Sequence, residues 1–308
     1  MATFAQGSRS RLSYAVQSDF STTATTGFVA LPYTTSALNL TKDRVAGTDI
    51  QTDRMPRHDR HGNRQVGGDI VADLREADFD PFLESVMLNT WSGSGANTYL
   101  TVGTSPKHFT IEDHAADVDQ ARLFTGCTVS SMGISIAPNQ MVTATYSMVG
   151  KDMSISATEK TGVTASSSNA PFDAYSGVVK LDDKDSSSPA TIALVTSIDF
   201  TLNNSFAPTF VVGSASAPAL EVGRAEVEGT MTAYFENAAL INRFINETES
   251  ELTVQVGDGT NTLDFFFPRI KINSADVGVD GPTSRVISMS FVGLYNSNDT
   301  TNLKITRS

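Results

Sequence analysis

Cysteine is almost absent from this chain of 308 residues, in which Cys127 is the only one. An intrachain disulfide is therefore impossible, which excludes the class of small secreted domains held together by disulfides. The first twenty residues, MATFAQGSRSRLSYAVQSDF, lack the apolar stretch of a secretory signal. No run of 18 apolar residues occurs, so we expect no membrane insertion. These absences lead us to expect folding in a reducing cytosol.

Basic side chains are also scarce, since 22 Lys and Arg face 34 Asp and Glu, for a formal net charge of -12. An acidic protein repels a phosphate backbone, which disfavours sequence-specific binding of nucleic acid. The same charge suits a surface that faces a polyanion without adhering to it. Hydrophobic residues make up 40% of the chain, enough to build a real core.

An internal repeat organises the sequence. GNRQVGGDIVADL (62–74) and GRAEVEGTMTAYF (223–235) align with Val66 on Val227 and Gly68 on Gly229. Alternate positions are apolar in both copies, and this period of two predicts a strand with one buried face. The abundance of Ser, Thr, Gly, Asn and Asp beside short Val, Ile and Phe runs also favours strands and turns.

A short helix is predicted after each of these strands, because apolar residues recur there on one helical face. Asp80 before Pro81 is the expected N-cap of the first helix, and Asn237 that of the second. The two apolar sets are Phe82, Leu83, Val86 and Met87, and Leu240, Ile241, Phe244 and Ile245.

The repeat extends in both directions. SALNLT (36–41) parallels TSIDFT (196–201), which sets Leu38 and Leu40 opposite Ile198 and Phe200. Downstream, residues 127–150 predict a hairpin that turns at Pro138–Asn139, and residues 263–294 predict one that turns near 278–282. Each half therefore has the order strand, long loop, strand, helix, strand, hairpin. We predict two small β-sandwiches or barrels, each with one packed helix.

We expect a first module at 1–155 with an N-terminal arm, a Ser/Thr-rich linker or surface excursion at 156–190, and a second module at 191–308 with a C-terminal tail. The long loop of each half is different. The first, from about Lys42 to Arg64, is charged, whereas the second, from Asn203 to Gly223, is apolar and small. Loops of this length in a compact domain usually have a function.

The most crowded polar stretch, QTDRMPRHDRHGNRQVGG (51–68), contains four arginines, two aspartates and two histidines. H-x-x-H beside carboxylates could hold a transition metal, but no third histidine lies nearby and the arginines would repel a cation. A nucleic-acid patch would need interleaved aromatic residues. A basic loop in an acidic protein more naturally meets an acidic protein surface, possibly that of an identical subunit.

No enzyme constellation emerges, and no cofactor is implied. HFTIEDH (108–114) sets Glu112 and Asp113 between two histidines, but acid–base catalysis needs an orienting group and a pocket, so we expect polar surface residues. GDGTN (257–261) resembles part of a calcium loop, yet its flanking strands predict a hairpin turn. Trp91 and Cys127 are expected to pack in the core or in a subunit interface.

The segment TDRMPRHDRHGNRQVGGDIVADL resembles the signature of long-tailed, siphovirus-type bacteriophage tail tube proteins, also called major tail proteins. In that family such a segment precedes a short helix that ends near a tryptophan, here Trp91. The resemblance continues through FTGCTVSSMGISIAPNQMVTATYSMVG, TSIDFTLNN, VGRAEVEGTMTAYFENAALINRFIN and FFFPRIKI. It covers nearly the whole chain in order. Each motif is mostly strand pattern, so their joint order carries the specificity.

The resemblance implies a mainly β fold, here a tandem pair of tail-tube-type β-sandwich or barrel modules with one short flanking helix each. It implies a structural virion protein that stacks rings into a hollow tail tube on a tape-measure protein. Tail terminator and tail tip proteins are the other partners, and DNA passes through without specific binding. Because family rings present six copies of the fold, two copies per chain favour a trimer with pseudo-sixfold symmetry over a hexamer.

The resemblance also implies a location in the virion tail after assembly in the host cytoplasm. We expect the 42–64 loop to contact the adjacent ring, through Arg54, Arg57, His58, Asp59 and Arg60. The 203–223 loop is expected to play the equivalent role through apolar packing.

A β-sandwich that binds a receptor or carbohydrate is the alternative, which needs an exposed aromatic platform. A hydrolase on a β scaffold is a third, for which no catalytic constellation is evident.

Overall fold

The structure, a computed structural model, describes residues 4–95, 98–187, 190–192, 194–279, 281–282 and 284–308. Within these ranges the fold is mainly antiparallel β and contains two short α-helices, which confirms the predicted fold class. The helices are α1 (Asp80–Met87) and α2 (Ala239–Ile245). No helix in the described part of the chain has the length and apolarity needed to cross a membrane.

The strands divide into two sets, which we call the first half (β1 to β10, with α1) and the second half (β11 to β19, with α2). The strands of the first half are β1 (Ser10–Val16), β2 (Val29–Ala30), β3 (Thr35–Ser36), β4 (Asn39–Ala46), β5 (Asp59–Asp73), β6 (Thr98–Thr101), β7 (Phe109–Ala115), β8 (Gln120–Ile136), β9 (Thr143–Gly150) and β10 (Asp152–Ser156). Those of the second half are β11 (Asp173–Asp183), β12 (Val195–Asn203), β13 (Ala207–Thr209), β14 (Ala219–Glu221), β15 (Glu226–Tyr234), β16 (Ser250–Gly257), β17 (Thr262–Val277), β18 (Val286–Gly293) and β19 (Lys304–Arg307).

Eight strands form one continuous antiparallel path, which we call the long sheet. Its order is β4-β5-β9-β8-β12-β15-β18-β17. The first four strands belong to the first half and the last four to the second half. The central pair, β8 with β12, therefore joins the two halves through backbone hydrogen bonds.

Two strands are long enough to bend out of the long sheet into a second layer. β8 pairs with β9 and β12 after residue 128, but with β7 and β10 before it. The change falls beside Gly126, whose φ of 63° suits glycine. β17 bends in the same way near Pro268. It pairs with β19 before this residue, with β16 up to Ile270, and with β18 from Ile270 onward. The resulting short sheets are β2-β1-β7-β8-β10 and β11-β16-β17-β19-β6.

The strand registers reproduce most of the alignment read from the repeat. Val66 faces Gly150 as Val227 faces Gly293, and Gly68 faces Met148 as Gly229 faces Phe291. Both hairpins turn where predicted, after Ile136 and after Val277, although Asp280 lies outside the described residues. The 257–261 segment is likewise a turn, between β16 and β17.

One part of the alignment was wrong by two residues. Leu40 faces Val66 and Leu202 faces Val227, so Leu40 corresponds to Leu202 rather than to Phe200. The error is physically understandable, because a shift of two residues keeps every side chain on the same face of a strand. An apolar alternation alone therefore leaves the register ambiguous.

The core lies between the long sheet and the short sheets. In the first half, the Phe82 ring of α1 contacts Tyr14 of β1 at 5.1 Å, Phe109 of β7 at 4.9 Å and Tyr146 of β9 at 5.4 Å between centroids. In the second half, Phe200 of β12 meets Phe267 of β17 at 5.0 Å. The predicted apolar stripe of α1 is fully used, since its four members are buried.

The helix starts differ by one residue from expectation. The N-cap of α1 is Phe79, not Asp80, and Asp80 is the first helical residue, where its carboxylate contacts Arg307. A carboxylate in the first turn still complements the helix dipole. Ala238 holds the N-cap position of α2, but Asn237 supplies the capping oxygen, since Asn237 Oδ1 accepts from Ala239 N at 2.8 Å.

Residues 156–172 lie across the first half. Thr164 bridges to Val29, Ser167 N donates to Asp78 Oδ1 at 2.7 Å, and Phe172 is fully buried. The next residues, 173–183, form β11 and pair with β16 of the second half. The module boundaries at 155 and 191 stay a prediction.

Candidate interaction surfaces

The arm, defined as residues 42–64, is the first candidate surface. It was expected to be a loop, but β4 and β5 continue into it as a hairpin with Ala46 opposite Asp59. Gly47 N donates to His58 O at 2.9 Å, which extends the hairpin by one more bond. The predicted long loop was therefore too long at both ends, since only residues 47–58 lie outside the two strands. Its alternation of charged and small residues hid the strand signal, because a hairpin exposed on both faces needs no apolar alternation.

All five residues predicted to make contacts lie on the exposed arm. Arg57 Nη2 contacts Asp53 Oδ2 at 2.6 Å and Arg44 Nε contacts Asp59 Oδ2 at 2.9 Å. Arg54 has a left-handed φ of 64° at the tip, and Arg60 lies opposite Val45. Exposed ion pairs of this kind are worth little stability, so these side chains are free to exchange partners.

Apolar side chains accompany the charges on the arm. Ile50 is 98% exposed and Met55 is 67% exposed. Both side chains lie away from the core, so they are available as apolar contacts beside the charged residues of the arm. Sequence analysis missed these residues because each is an isolated apolar residue in a charged stretch.

The second loop, 203–223, lies partly against the base of the arm. Arg64 N donates to Ala215 O at 2.8 Å, and Ala217 is buried. Short strands β13 and β14 pair within the loop. Val211 and Val212 at its tip remain exposed. Its role in contacts between rings stays a prediction.

HFTIEDH was expected on the surface, and this prediction was wrong. Glu112 and His114 are buried. The Glu112 carboxylate accepts from Ser13 Oγ at 3.1 Å, from Arg11 Nη2 at 3.2 Å and from Lys160 N at 2.5 Å. The network therefore fastens the 156–172 segment to β1 and β7.

Among the described residues, no group of three or more His, Cys, Asp and Glu side chains is arranged to hold a metal ion.

The two ends of the long sheet form the second candidate surface. Within the described residues, β4 pairs on one side only, with β5, and the 271–277 part of β17 pairs on one side only, with β18. Ala37 N donates to Asp69 O at 2.8 Å, so in an antiparallel ladder Leu38 and Leu40 direct their backbone groups to the other side. Unpaired edges of this kind bind another strand.

The exposed side of the long sheet forms a third surface, which we call the polar face. Its hydroxyl residues are Ser131, Ser135, Thr143, Thr145, Ser147, Thr201, Thr230, Thr232, Ser274, Ser288 and Ser290. Its carboxylates are Asp69, Asp73, Asp199, Glu226, Glu228 and Asp276. Ser135 Oγ donates to Asp199 Oδ1 at 2.5 Å across the junction of the halves. A depression of about 560 Å³ lies on this face, which is concave there.

The two helices differ in how well they are covered. Val86 and Met87 at the end of α1 are fully buried, whereas their counterparts in α2, Phe244 and Ile245, are 36% and 65% exposed. Part of the cover over α1 comes from the second half, because Asn204 Nδ2 donates to Val86 O at 2.7 Å. The equivalent side of α2 is exposed in the single chain.

A family model described as phage tail tube protein matches residues 7–293, which is nearly the whole chain. The chain belongs to the phage tail tube protein family. It is therefore a structural protein of the bacteriophage virion tail, as its sequence resemblance implied. A search of curated proteins found no match.

Membership in the tail tube family accounts for what the surfaces have in common. Edges, an exposed arm and a half-covered helix are liabilities for a monomer but are useful in a protein that assembles. Sequence analysis predicted the arm as a contact, but it did not locate the free edges, the exposure of Phe244 and Ile245 at the end of α2, or the polar face. The alternating Ser, Thr, Asp and Glu positions within the predicted strands were the available signal for the polar face.

Proposed function

We propose that this tail tube protein self-assembles into rings that stack into a hollow tube, through which DNA is delivered. The observation that most strongly supports this proposal is the long sheet, which has two free edges and one concave, polar face. Closing such sheets edge to edge removes the exposed edges and encloses the polar face. The tape-measure, tail terminator and tail tip proteins are the proposed partners, and assembly takes place in the host cytoplasm.

The stoichiometry that we propose is three chains per ring. Each chain supplies eight strands to the long sheet in two equivalent sets of four, so three chains give 24 strands and six pseudo-equivalent sets. A hexameric ring, the alternative, would contain 48 strands. Because barrel diameter grows with strand number, the two rings would differ about twofold in width.

The polar face is the proposed lining of the channel. Its carboxylates repel the DNA phosphates, and its hydroxyls keep the surface wetted without fixed positive charge. DNA then meets a wall that offers it no strong contact, which suits rapid passage. Lys271 lies on β17 where this strand joins the long sheet. Its ammonium group is paired with the Glu247 carboxylate at 2.6 Å and so adds little attraction for DNA.

The arm is the proposed contact between rings. It continues β4 and β5 beyond one end of the long sheet. The turn at 137–142 between β8 and β9, and the β17–β18 connection that follows Val277, lie at the other end of the sheet. In a stack, the arm of one ring therefore points at the turn side of the next. Arg54, Arg57, His58, Asp59 and Arg60 supply the polar contacts, with Ile50 and Met55 as apolar anchors.

A receptor- or carbohydrate-binding module is less well supported. The residue that the sequence offered for an aromatic platform was Trp91, and its ring is covered by the guanidinium of Arg307 at 4.7 Å from its centroid. The Arg307 side chain also contacts Asp80, which holds it in place.

Negative-stain electron microscopy of the concentrated, purified protein tests the proposed function. We expect rings or hollow tubes of uniform width. A protein that stays monomeric at all concentrations, with or without the other tail components, contradicts the proposal. Binding to a glycan surface by such a monomer would favour the alternative.

A further inference from the structure

The joint between the two halves shows how one copy of the fold meets the next. β8 and β12 pair antiparallel, with Met132 opposite Leu202, Ile134 opposite Phe200 and Gly133 opposite Thr201. Asn204 N continues the ladder by donating to Ser130 O at 3.0 Å. The joint is therefore a complete strand pair formed between two equivalent modules.

The free edges at the two ends repeat the two sides of this joint. β17 pairs with β18 as β8 pairs with β9, and the register shift after Ile272 matches that after Val129. β4 pairs with β5 in the register in which β12 pairs with β15, because Leu40 lies opposite Val66 as Leu202 lies opposite Val227. The structural counterparts of β8 and β12 thus lie at opposite ends of the chain.

We propose that β17 of one copy pairs with β4 of the next in the register of the internal joint. Transferring that register places Ser274 opposite Thr41, Ala275 opposite Leu40, Asp276 opposite Asn39, and Val277 opposite Leu38. The inference rests on the proposed ring and names its chain-to-chain contact. The joint between chains and the joint within each chain then alternate around the ring.

Burial supports this arrangement. Ile136 is 9% exposed in the internal joint, whereas Val279, its counterpart when the register is continued past β17, is 69% exposed. Leu202 is fully buried, but Leu40 is only half-buried. The apolar end of α2, which packs on β17, is exposed beside this same edge of the long sheet. A second copy would cover all three positions, as the second half covers α1 within the chain.

Two existing side-chain contacts have to give way. Leu40 N donates to Asn39 Oδ1 at 2.9 Å, and in the proposed pair it would donate to a backbone carbonyl of β17 instead. Arg122 Nη1 lies 3.4 Å from Leu38 O, a long contact to a carbonyl on the free edge. A backbone N–H of β17 would replace it, and Arg122 keeps its contact with Asp113. Within the described residues, these backbone groups of the edge are therefore held by side chains and not by another strand.

A disulfide cross-link tests the register. Asn39→Cys with Asp276→Cys places two thiols at a non-hydrogen-bonded pair, where antiparallel Cα atoms lie about 4.5 Å apart, a separation that a disulfide spans. Native Cys127 is fully buried and can stay. After mild oxidation of assembled protein, we expect covalent dimers and trimers on a non-reducing gel, at more than about tenfold the yield of controls.

Two control pairs make the result specific. Asn39→Cys with Ser274→Cys is displaced by two residues and should give few cross-links. Gly133→Cys with Thr201→Cys is the equivalent pair inside the chain, where a Cβ on Gly133 would lie 3.6 Å from Thr201 Oγ1, and should cross-link without forming covalent oligomers. Tubes that form normally without an Asn39–Asp276 cross-link would overturn this register while leaving the proposed function intact. Wild-type protein that forms neither rings nor tubes would instead overturn the proposed function.

Discussion

At the scale of single residues, the long sheet depends on glycines where backbones approach closely. Gly68 has a φ of 133°, and a Cβ there would collide with the backbone carbonyl of Ala37 on β3–β4. Its neighbour Gly67 has open space, with Met148 O at 3.9 Å. Glycine is therefore required at position 68, by both the backbone conformation and the lack of space, whereas position 67 has room for a side chain.

Gly68→Ala should destabilise the protein by about 2 kcal/mol or more, because the left-handed conformation and the collision both oppose a side chain. Gly67→Ala is the matched control and should change the free energy of unfolding by less than about 0.5 kcal/mol. Urea unfolding of unassembled protein, followed by circular dichroism, measures both values. Equal effects of the two substitutions would contradict the assignment.

Two aspartates of the β16–β17 hairpin should give opposite pH dependence. Burial raises the pKa of Asp264 above its ordinary value, although Gln255 and Lys180 partly offset this. Backbone N–H groups of Asn261 and Thr260, the Asn261 bond being the largest cause, lower the pKa of the Asp258 carboxyl. A carboxyl whose pKa is higher in the folded than in the unfolded protein destabilises the folded state once the pH rises above its unfolded pKa. A carboxyl whose pKa is lower in the folded protein stabilises the folded state above its unfolded pKa.

Asp264→Asn should therefore stabilise the protein relative to the wild type at pH 7, and this gain should vanish below the unfolded pKa of about 3.8. Asp258→Asn should instead lower stability at pH 7, with the loss shrinking as pH falls below about 4. Denaturant unfolding of both variants from pH 3 to pH 7 measures the difference. The same sign for both variants at pH 7 would show that the burial of Asp264 is misjudged.

At the scale of secondary-structure elements, the arm and α2 are the parts that a single chain leaves uncovered. Changing Arg54, Arg57 and Arg60 together to Glu should allow rings but prevent their elongation, since the arm would no longer match an acidic surface. The same three changes to Lys keep the charge and should allow tubes. Electron microscopy with sedimentation measures the two products. Normal tubes from the Glu variant, or from a chain lacking residues 52–61, would contradict the contact.

The end of α2 should be needed for ring closure and not for folding. Ile245→Asp places a charge at a position that is exposed in the single chain but covered in the ring, so rings should be lost while thermal unfolding changes little. Val16→Asp, at another exposed apolar position on β1 of a short sheet, is the matched control and should assemble. If both variants form rings equally well, α2 is not at a chain-to-chain contact.

These elements also show what could be predicted from the sequence. Val66, Gly68 and their counterparts were aligned correctly because a glycine within an alternating strand fixes the register. Leu38 and Leu40 were displaced by two residues because that shift conserves the buried face. Glu112 was expected on the surface because the partners that bury it, Arg11 and Lys160, are distant in the chain.

At the scale of the whole molecule, one chain contains an internal joint between β8 and β12 and, in our proposal, the two sides of an external joint. The free edges, the polar face and the exposed end of α2 match a fold that is repeated twice and left open at both ends, whereas the arm belongs to the first half alone. Such an arrangement closes when copies join head to tail by a heterologous contact. In the proposed ring, duplication within the chain would tether half of the joints covalently and so reduce the number of subunits that have to associate.

The central claim is that three chains, each carrying two modules, close one ring. Electron cryomicroscopy of purified tubes, with the symmetry determined from ring cross-sections and the mass per ring from scanning transmission microscopy, tests it most directly. We expect threefold symmetry with six similar lobes, and a mass of three chains of 32.8 kDa each per ring repeat. Six chains per ring would contradict the account.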